Sequence, residues 1–354
     1  MTATSIEWTD RVWNPIAGCS VLTPGCTNCY AMRMAARLER MGQTTKYGGL
    51  TRASKTGPVW TGKVRLDEGA LLAPLRWRKP ARIFVNSMSD LFHEAVSDEW
   101  IDRMFAVMAL APQHTFQVLT KRADRMRDYF RGLDTRHTPD GNVSLSPRVS
   151  VISSFMTHSH GQTDMADLVE ALNGPWPLPN VWLGVSVEDQ RRADERIPLL
   201  LHTPAAVRWI SAEPLLGAVD LRHTAITDTG YLNCLSSSTG PNIDWVVAGG
   251  ESGPGARPCH PDWIRSLRDQ CSDAEVPFFF KQWGSWYPLI DRDIDDPDWR
   301  AWYGRANDTP DRFRILNLAG GCGFHGERVH LMERRSKKST GAQLNGREHR
   351  EWPR

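Results

Sequence analysis

The residues with the clearest chemical potential lie near the start of the chain. The thiols of Cys19, Cys26 and Cys29 fall within eleven residues, and a Pro-Gly turn separates the first two. Thiolates bind zinc and iron–sulfur clusters, and a closed structural site of either kind uses four protein ligands. We therefore predict that this cysteine loop, Cys19–Cys29, binds a metal. The fourth position would be filled by another residue or left open for chemistry.

Cysteine usage and composition favour a metal site over a disulfide framework. The 354 residues include seven cysteines, an odd number at low density, and three of them share one loop. No apolar run approaches the roughly 20 residues that a membrane helix requires, and the first ten residues contain no apolar signal segment. We expect a cytoplasmic protein that does not enter a membrane.

Short, nearly continuous apolar segments alternate with helical patterns along most of the chain. The predicted strands are Val12–Ile16, Arg82–Val85, Thr115–Leu119, Val181–Val185, Val207–Ile210, Ile243–Ala248 and Pro277–Phe280. The predicted helices are Ala31–Met41, Leu71–Trp77, Asp98–Leu110, Asp124–Gly132, Asp164–Leu172, Gln190–Leu201 and Pro261–Ala274. This alternation predicts an α/β fold, a complete or partial (β/α) TIM-like barrel of about six to seven parallel strands. A doubly wound open sheet is the alternative.

The barrel domain is predicted to cover residues 1–290, with poorly patterned insertions near 134–179 and 224–241. A C-terminal extension, 291–354, follows it. Between Glu333 and Arg350 there are six basic and two acidic residues. A basic tail of this kind would attract phosphate groups, and a solvated helical face is the alternative interpretation.

Each predicted strand ends in small, hydroxyl, acidic or basic residues. In a barrel these ends meet at one face, where active sites are built. The candidate catalytic residues are therefore Glu213, Glu251 and Lys281, two carboxylates and an amine at strand ends. An ion pair between Lys281 and Glu213 or Glu251 is the structural alternative. The glycines before Glu251 would let the backbone approach a ligand closely.

The cysteine loop, with Cys26 and Cys29 separated by two residues and followed by Tyr30, resembles that of the radical S-adenosylmethionine superfamily. More closely, the chain resembles the phage-type three-Cys-motif family, phage proteins of unknown function encoded beside a three-Cys-motif partner protein. The segments that carry the resemblance are Trp13-Asn14-Pro15, Gly18-Cys19, Phe84–Phe92, Ser211–Gly217, Gly249–Pro258, Phe279–Gly284, Leu344–Arg347 and Trp352-Pro353. The superfamily's usual loop has three residues between its first two cysteines, whereas Ser20–Gly25 make six here.

The resemblance implies that Cys19, Cys26 and Cys29 hold a 4Fe–4S cluster whose fourth iron binds S-adenosylmethionine. An electron from an external donor would cleave this cofactor, and the resulting 5′-deoxyadenosyl radical would abstract hydrogen from a substrate. The resemblance also nominates residues that contact the cofactor. These are Tyr30 for the adenine, Ser87, Ser89 and Asp90 for the amino group, and Ser186, Glu188 and Glu213 for the ribose and carboxylate.

The resemblance further implies a three-Cys-motif partner protein, and the basic tail favours a nucleic acid or nucleotide substrate. Two alternatives remain open. The three thiols would form a zinc site with a histidine such as His93 or His260. Alternatively, the chain would be a metal-binding phage accessory module that binds a partner protein or DNA without catalysis.

Overall fold

The computed structural model describes residues 4–137, 145–158, 172–226, 230–238, 240–291, 299–321 and 329–354. Its helices are α1 Tyr30–Arg40, α2 Thr44–Tyr47, α3 Glu68–Leu71, α4 Asp98–Ala109, α5 Ala123–Leu133, α6 Pro147–His158, α7 Gln190–Leu201, α8 Pro261–Asp273, α9 Trp299–Asp308 and α10 Lys337–Thr340. The strands from β1 to β9 are Arg11–Trp13, Ile16–Ala17, Thr51–Arg52, Val59–Trp60, Arg65–Leu66, Arg82–Val85, Thr115–Thr120, Val181–Ser186 and Val207–Ala212. The strands from β10 to β18 are Thr224–Ala225, Tyr231–Leu232, Trp245–Gly249, Phe278–Gln282, Trp286–Asp291, Phe313–Asn317, Val329–Arg334, Gln343–Leu344 and Arg347–Glu348.

The main sheet has seven strands in the order β1-β6-β7-β8-β9-β12-β13. The described pairings within it are parallel, and each of its strands overlaps one of the seven predicted strands. The predicted α/β class, a partial TIM-like barrel of parallel strands, is therefore confirmed. Its strands are nearly continuously apolar because helices cover both faces of such a sheet; all five residues of β12 are buried.

The chain divides into two compact units, and the first comprises Met1–Thr23, Cys29–Val185 and Leu199–Arg208. Its core contains α6, which forms where an irregular insertion was predicted. The sequence did not predict this helix, because serines and β-branched residues make the segment a poor helix former by itself. Val151, Ile152 and Phe155 are fully buried, and α6 packs against α4. Tertiary packing therefore outweighs local propensity. The predicted helix Asp164–Leu172 lies outside the described residues, except for its last residue.

Two other predicted elements of this unit are interrupted by prolines. The predicted strand Val12–Ile16 ends at Trp13, and Ile16 belongs to β2, which pairs with β5 in antiparallel orientation. Pro15 has no N–H to continue the parallel ladder. The predicted helix Leu71–Trp77 is divided into α3 and a 3₁₀ turn, Ala73–Arg76. Pro74 separates the two because its ring does not fit a helix interior.

The second unit comprises Pro24–Asn28, Ser186–Pro198 and Trp209–Arg354. It contains β12, β13 and α8, together with an antiparallel sheet in the order β14-β16-β15 that the sequence did not predict. The C-terminal tail lies against β13, where Phe280 N–H donates to His349 O over 2.9 Å and Glu351 N–H donates to Phe278 O over 3.2 Å. The guanidinium of Arg350 lies 4.8 Å from the centroid of the Phe279 ring. The tail therefore covers an edge strand that would otherwise offer unpaired backbone groups.

Within the described residues, no helix combines the length and apolar character needed to cross a membrane.

Gly284 allows two backbone segments of the second unit to meet. Its φ is +80°, and a Cβ there would lie 2.1 Å from the carbonyl oxygen of Glu251. At Gly250 a Cβ would lie equally close, 2.1 Å from the carbonyl oxygen of Trp283. Gly250, the second of the two glycines before Glu251, therefore allows an approach between backbone segments.

We predict that Gly284→Ala lowers the free energy of unfolding by about 3 kcal/mol, because left-handed strain adds to a backbone clash. The matched control is Gly346→Ala, where φ is +77° and a Cβ would meet nothing within 4 Å. Only the strain of roughly 1–2 kcal/mol applies there. Urea unfolding followed by tryptophan fluorescence measures both variants, and equal losses would contradict the clash.

Candidate functional site

Cys19 and Cys29 belong to the first unit and lie beside one apolar cluster. Its buried members are Ala17, Ala31, Met32, Ala35, Tyr47, Leu50, Trp60 and Met88. Cys29 is the N-cap of α1, where the partial positive charge of a helix end favours a thiolate. None of the six described cysteines is joined in a disulfide; the seventh, Cys322, lies outside the described residues. The sulfurs of Cys19 and Cys29 are therefore not occupied by a disulfide.

Arg122 connects the sulfur of Cys19 to two carboxylates. Its Nη1 lies 3.7 Å from Cys19 Sγ and 3.0 Å from Asp90 Oδ2, and its Nε donates to Glu94 Oε2 over 2.7 Å. Its Nη2 donates to Ser20 Oγ over 2.6 Å. The guanidinium is buried, so these acceptors fix its position and direct positive charge at the thiol.

Burial raises the pKa of the Cys19 thiol to about 12, and the negative charge of Asp90 raises it further while Arg122 opposes the shift. The charge of Cys29 also raises the pKa of Cys19. Without a bound metal, the Cys19 thiol would be protonated at neutral pH. Because metals bind the thiolate, metal binding at Cys19 releases a proton.

Cys26 lies in the second unit, at the end of a 3₁₀ turn, Pro24–Cys26. Asn28 Nδ2 donates to Glu251 Oε2 over 3.0 Å and to Gly255 O over 2.9 Å. Arg257 Nη2 donates to Pro24 O over 2.8 Å. The segment with Cys26 is thus held from both ends by the loop after β12.

Glu251 is the centre of that anchor. Its buried carboxylate accepts from Arg257 Nη2 over 2.6 Å, from Arg257 Nε over 2.9 Å and from the Arg257 N–H over 2.8 Å. Such a two-pronged charged pair is among the stronger hydrogen-bonded contacts. Glu251, a predicted catalytic residue, therefore positions the Cys26 segment in this structure.

A cleft of about 710 Å³ lies in the second unit beside this anchor. Pro24 and Arg257 contribute to its wall, as do Asp189, Trp263 and Arg314. Its volume is within the range of sites for small molecules, and its wall includes charged side chains.

The other predicted catalytic residues form an ion pair. Lys281 Nζ lies 3.2 Å from Glu213 Oε2, and both side chains are largely buried. This is the structural alternative that the sequence left open for Lys281. A Cβ at Gly249 would lie 2.6 Å from Glu213 Oε1, so the carboxylate lies directly against the end of β12.

The predicted cofactor contacts lie at strand ends but make internal hydrogen bonds. Asp90 accepts from Thr120 Oγ1 over 2.7 Å and from the Lys121 N–H over 3.0 Å, besides Arg122. Glu188 is fully buried and accepts from Arg196 Nη1 over 2.9 Å. Arg196 Nη1 also donates to Ser186 O.

The remaining cofactor candidates differ in exposure. Ser87 Oγ donates to Asn14 Oδ1 over 3.1 Å, and Ser89 Oγ donates to Ile16 O over 2.9 Å. Tyr30 is 65% exposed, so it is accessible to a ligand.

Of the two histidines proposed as a fourth zinc ligand, His93 lies in the first unit with its Nε2 3.1 Å from Ser20 Oγ. His260 lies in the second unit.

Sequence reasoning missed the arginines that hold these carboxylates. Arg122 follows the strand next to that of Asp90, Arg196 lies in the helix after Glu188, and Arg257 is six residues after Glu251. The available signal was a basic residue near each acidic strand end. That signal is weak because arginines are common in helices and loops.

The chain is thus an α/β protein built on a parallel sheet. Its cysteine loop is a candidate metal site, and carboxylates at the strand ends pair with arginines. The chain belongs to the family described as "Protein of unknown function (DUF5131)", whose family model matches residues 3–353. No curated protein and no solved structure matches the chain.

The Arg122 network makes a testable prediction about Glu94. Partial burial alone would raise its pKa, but the hydrogen bond and charge of Arg122 outweigh that effect and lower it to about 2. The pair therefore contributes stability above the ordinary carboxyl pKa of about 4.3, and the contribution is lost as pH falls towards 2. In Arg122→Met, the Glu94 pKa should rise towards that ordinary value.

Carboxyl NMR titration measures the shift. The matched control is Arg125→Met, which removes the ion pair between Arg125 and Asp98 and should leave the pKa of Glu94 unchanged. An unchanged Glu94 pKa in Arg122→Met would contradict the network.

Proposed function

We propose that the chain is a radical S-adenosylmethionine enzyme in which Cys19, Cys26 and Cys29 hold a 4Fe–4S cluster. The observation that carries the proposal is the set of three cysteines outside any disulfide, one fewer than a closed site needs, on segments that ion pairs hold in place. The three-Cys phage family and its partner protein belong to the same proposal, on the basis of the sequence resemblance.

The donors around the loop suit such a cluster. The buried Arg122 offers an N–H to the sulfur of Cys19, and hydrogen bonds to ligand sulfurs tune the reduction potential of a cluster. Cys29 lies at the N-terminus of α1, which favours its anionic form. When bound, the cluster and S-adenosylmethionine would supply one-electron chemistry that ends in hydrogen-atom abstraction.

The chain's own residues would bind and position the reactants. In this proposal Asp90, Glu188 and Glu251 act as positioning residues because each is held by an arginine. Exposed Tyr30 keeps its proposed role as the adenine contact. Glu213 and Lys281, which form an ion pair 3.2 Å apart at a strand end, keep their proposed catalytic role, with Lys281 available to neutralise an anionic substrate group.

A nucleic acid or nucleotide remains the proposed substrate. Lys337, Lys338 and Arg347 are exposed on the tail, where they would attract phosphates. The cleft is lined by Arg257 and Arg314, whose guanidiniums would contact anionic groups of such a substrate.

The decisive assay follows 5′-deoxyadenosine after anaerobic iron–sulfur reconstitution, with S-adenosylmethionine and dithionite. We expect production by the wild-type chain and a loss of at least about a hundredfold in Cys26→Ala, because one cluster ligand is removed. The control is Cys271→Ala, which removes a buried thiol of α8 outside the loop and should retain production. Production at the same rate in Cys26→Ala would overturn the proposal.

A metal-binding accessory module is the second candidate. This candidate is favoured because the buried carboxylates at the strand ends are each paired with an arginine, and a paired carboxylate is less suited to act on a substrate. Under this candidate, wild-type protein supplied with DNA and the partner protein would bind metal and yield no 5′-deoxyadenosine.

A further inference from the structure

A second group of potential metal ligands lies in the second unit, separate in sequence from the cysteine loop. His260 precedes α8, Asp262 is in its first turn and His330 is in β16. One ligand atom from each residue lies within 4.8 Å of the other two, and no other such trio of His, Cys, Asp or Glu occurs among the described residues. Two imidazoles and a carboxylate form a donor set that suits borderline divalent first-row metals.

His330 provides an independent indication of a ligand. Its ring is fully buried, and neither Nδ1 nor Nε2 has a hydrogen-bond partner among the described residues. A buried imidazole without partners is costly because at least one nitrogen is a polar group removed from water. Its Nε2 is directed at Asp262 Oδ2 from 3.7 Å, too far for a hydrogen bond.

The separations are close to those of a coordinated ion. Zinc–ligand bonds of 2.0–2.2 Å place tetrahedral ligand atoms about 3.4 Å apart. His330 Nε2 lies 3.7 Å and His260 Nδ1 lies 4.0 Å from Asp262 Oδ2. The other carboxylate oxygen, Oδ1, accepts from Arg265 Nη1 over 2.7 Å. Arg265 thereby orients the carboxylate, whose Oδ2 faces the two imidazoles.

Coordination would replace one hydrogen bond. His260 Nδ1 accepts the N–H of Asp262 over 3.1 Å and so caps α8. A neutral imidazole that coordinates through either nitrogen can no longer accept at Nδ1. The metal would therefore exchange a helix cap for a bond that ties the start of α8 to β16.

We propose that His260, Asp262 and His330 bind a divalent transition-metal ion, with Zn²⁺ as the best-matched ion, and that this ion joins α8 to the antiparallel sheet. Three protein ligands leave one position for water. The Asp262 side chain is 14% exposed, whereas both imidazoles are buried, so the ion enters from the carboxylate side.

The test uses the full-length chain, stripped with a chelator and titrated with Zn²⁺ or Co²⁺. We expect His330→Gln and the isosteric Asp262→Asn each to weaken ion binding at this site by at least tenfold. The metal-dependent rise in Tm should become smaller in the same variants, because an ion stabilises the folded protein only to the extent that it binds it. The control is His223→Gln, which removes an exposed histidine paired with Asp220 and should bind as the wild type does.

Optical spectra of Co²⁺ separate this site from the cysteine loop, because thiolate ligands give charge-transfer bands and imidazole or carboxylate ligands do not. The proposal expects loss of the non-thiolate component in Asp262→Asn, whose fold is checked by near-UV circular dichroism. That variant decides the question if His330→Gln does not fold. The proposal would be overturned if Asp262→Asn bound Zn²⁺ with the stoichiometry, affinity and Tm shift of the wild type. His260, Asp262 and His330 would then be a group of side chains that binds no metal.

Discussion

The pairing of buried carboxylates with arginines at the ends of parallel strands is the constraint on which the candidate site depends. Asp90, Glu188 and Glu251 are all buried, and each contacts one arginine within 3.0 Å. Removing one partner of a buried pair leaves an uncompensated charge, which costs about 3–5 kcal/mol. Each pair therefore fixes the position of its carboxylate at the strand end.

Two of these pairs bear directly on the cysteine loop. Arg122, held by Asp90, presents its guanidinium to the sulfur of Cys19. Arg257, held by Glu251, donates to the carbonyl of Pro24 and so anchors one end of the segment that contains Cys26. Asp90, predicted as a cofactor contact, is thus linked to the Cys19 sulfur through Arg122, and Glu251, predicted as catalytic, is linked to the Cys26 segment through Arg257. A metal that binds these thiols would find segments already ordered, which lowers the entropy cost of binding.

Much of the fold could be predicted because parallel strands buried on both faces leave a continuous apolar signal, as in Val181–Val185 and Ile243–Ala248. The errors arose where tertiary contacts override local pattern, as in α6. The arginine partners could not be predicted because an ion pair depends on which strands are neighbours. The group of His260, Asp262 and His330 could not be predicted either. His330 is seventy residues from His260 in sequence, and it lies near Asp262 only through the tertiary fold. Sequence spacing reveals a site only when its ligands share one loop.

We propose that Cys19, Cys26 and Cys29 form a metal site with one position open for chemistry. Iron and sulfide analysis, combined with low-temperature EPR of anaerobically reconstituted, dithionite-reduced protein, is the experiment that tests this proposal. We expect four irons and four sulfides per chain, and a reduced-cluster signal that changes when S-adenosylmethionine is added. A colourless protein that retains zinc on the loop thiols, with no iron signal after reconstitution, would contradict it.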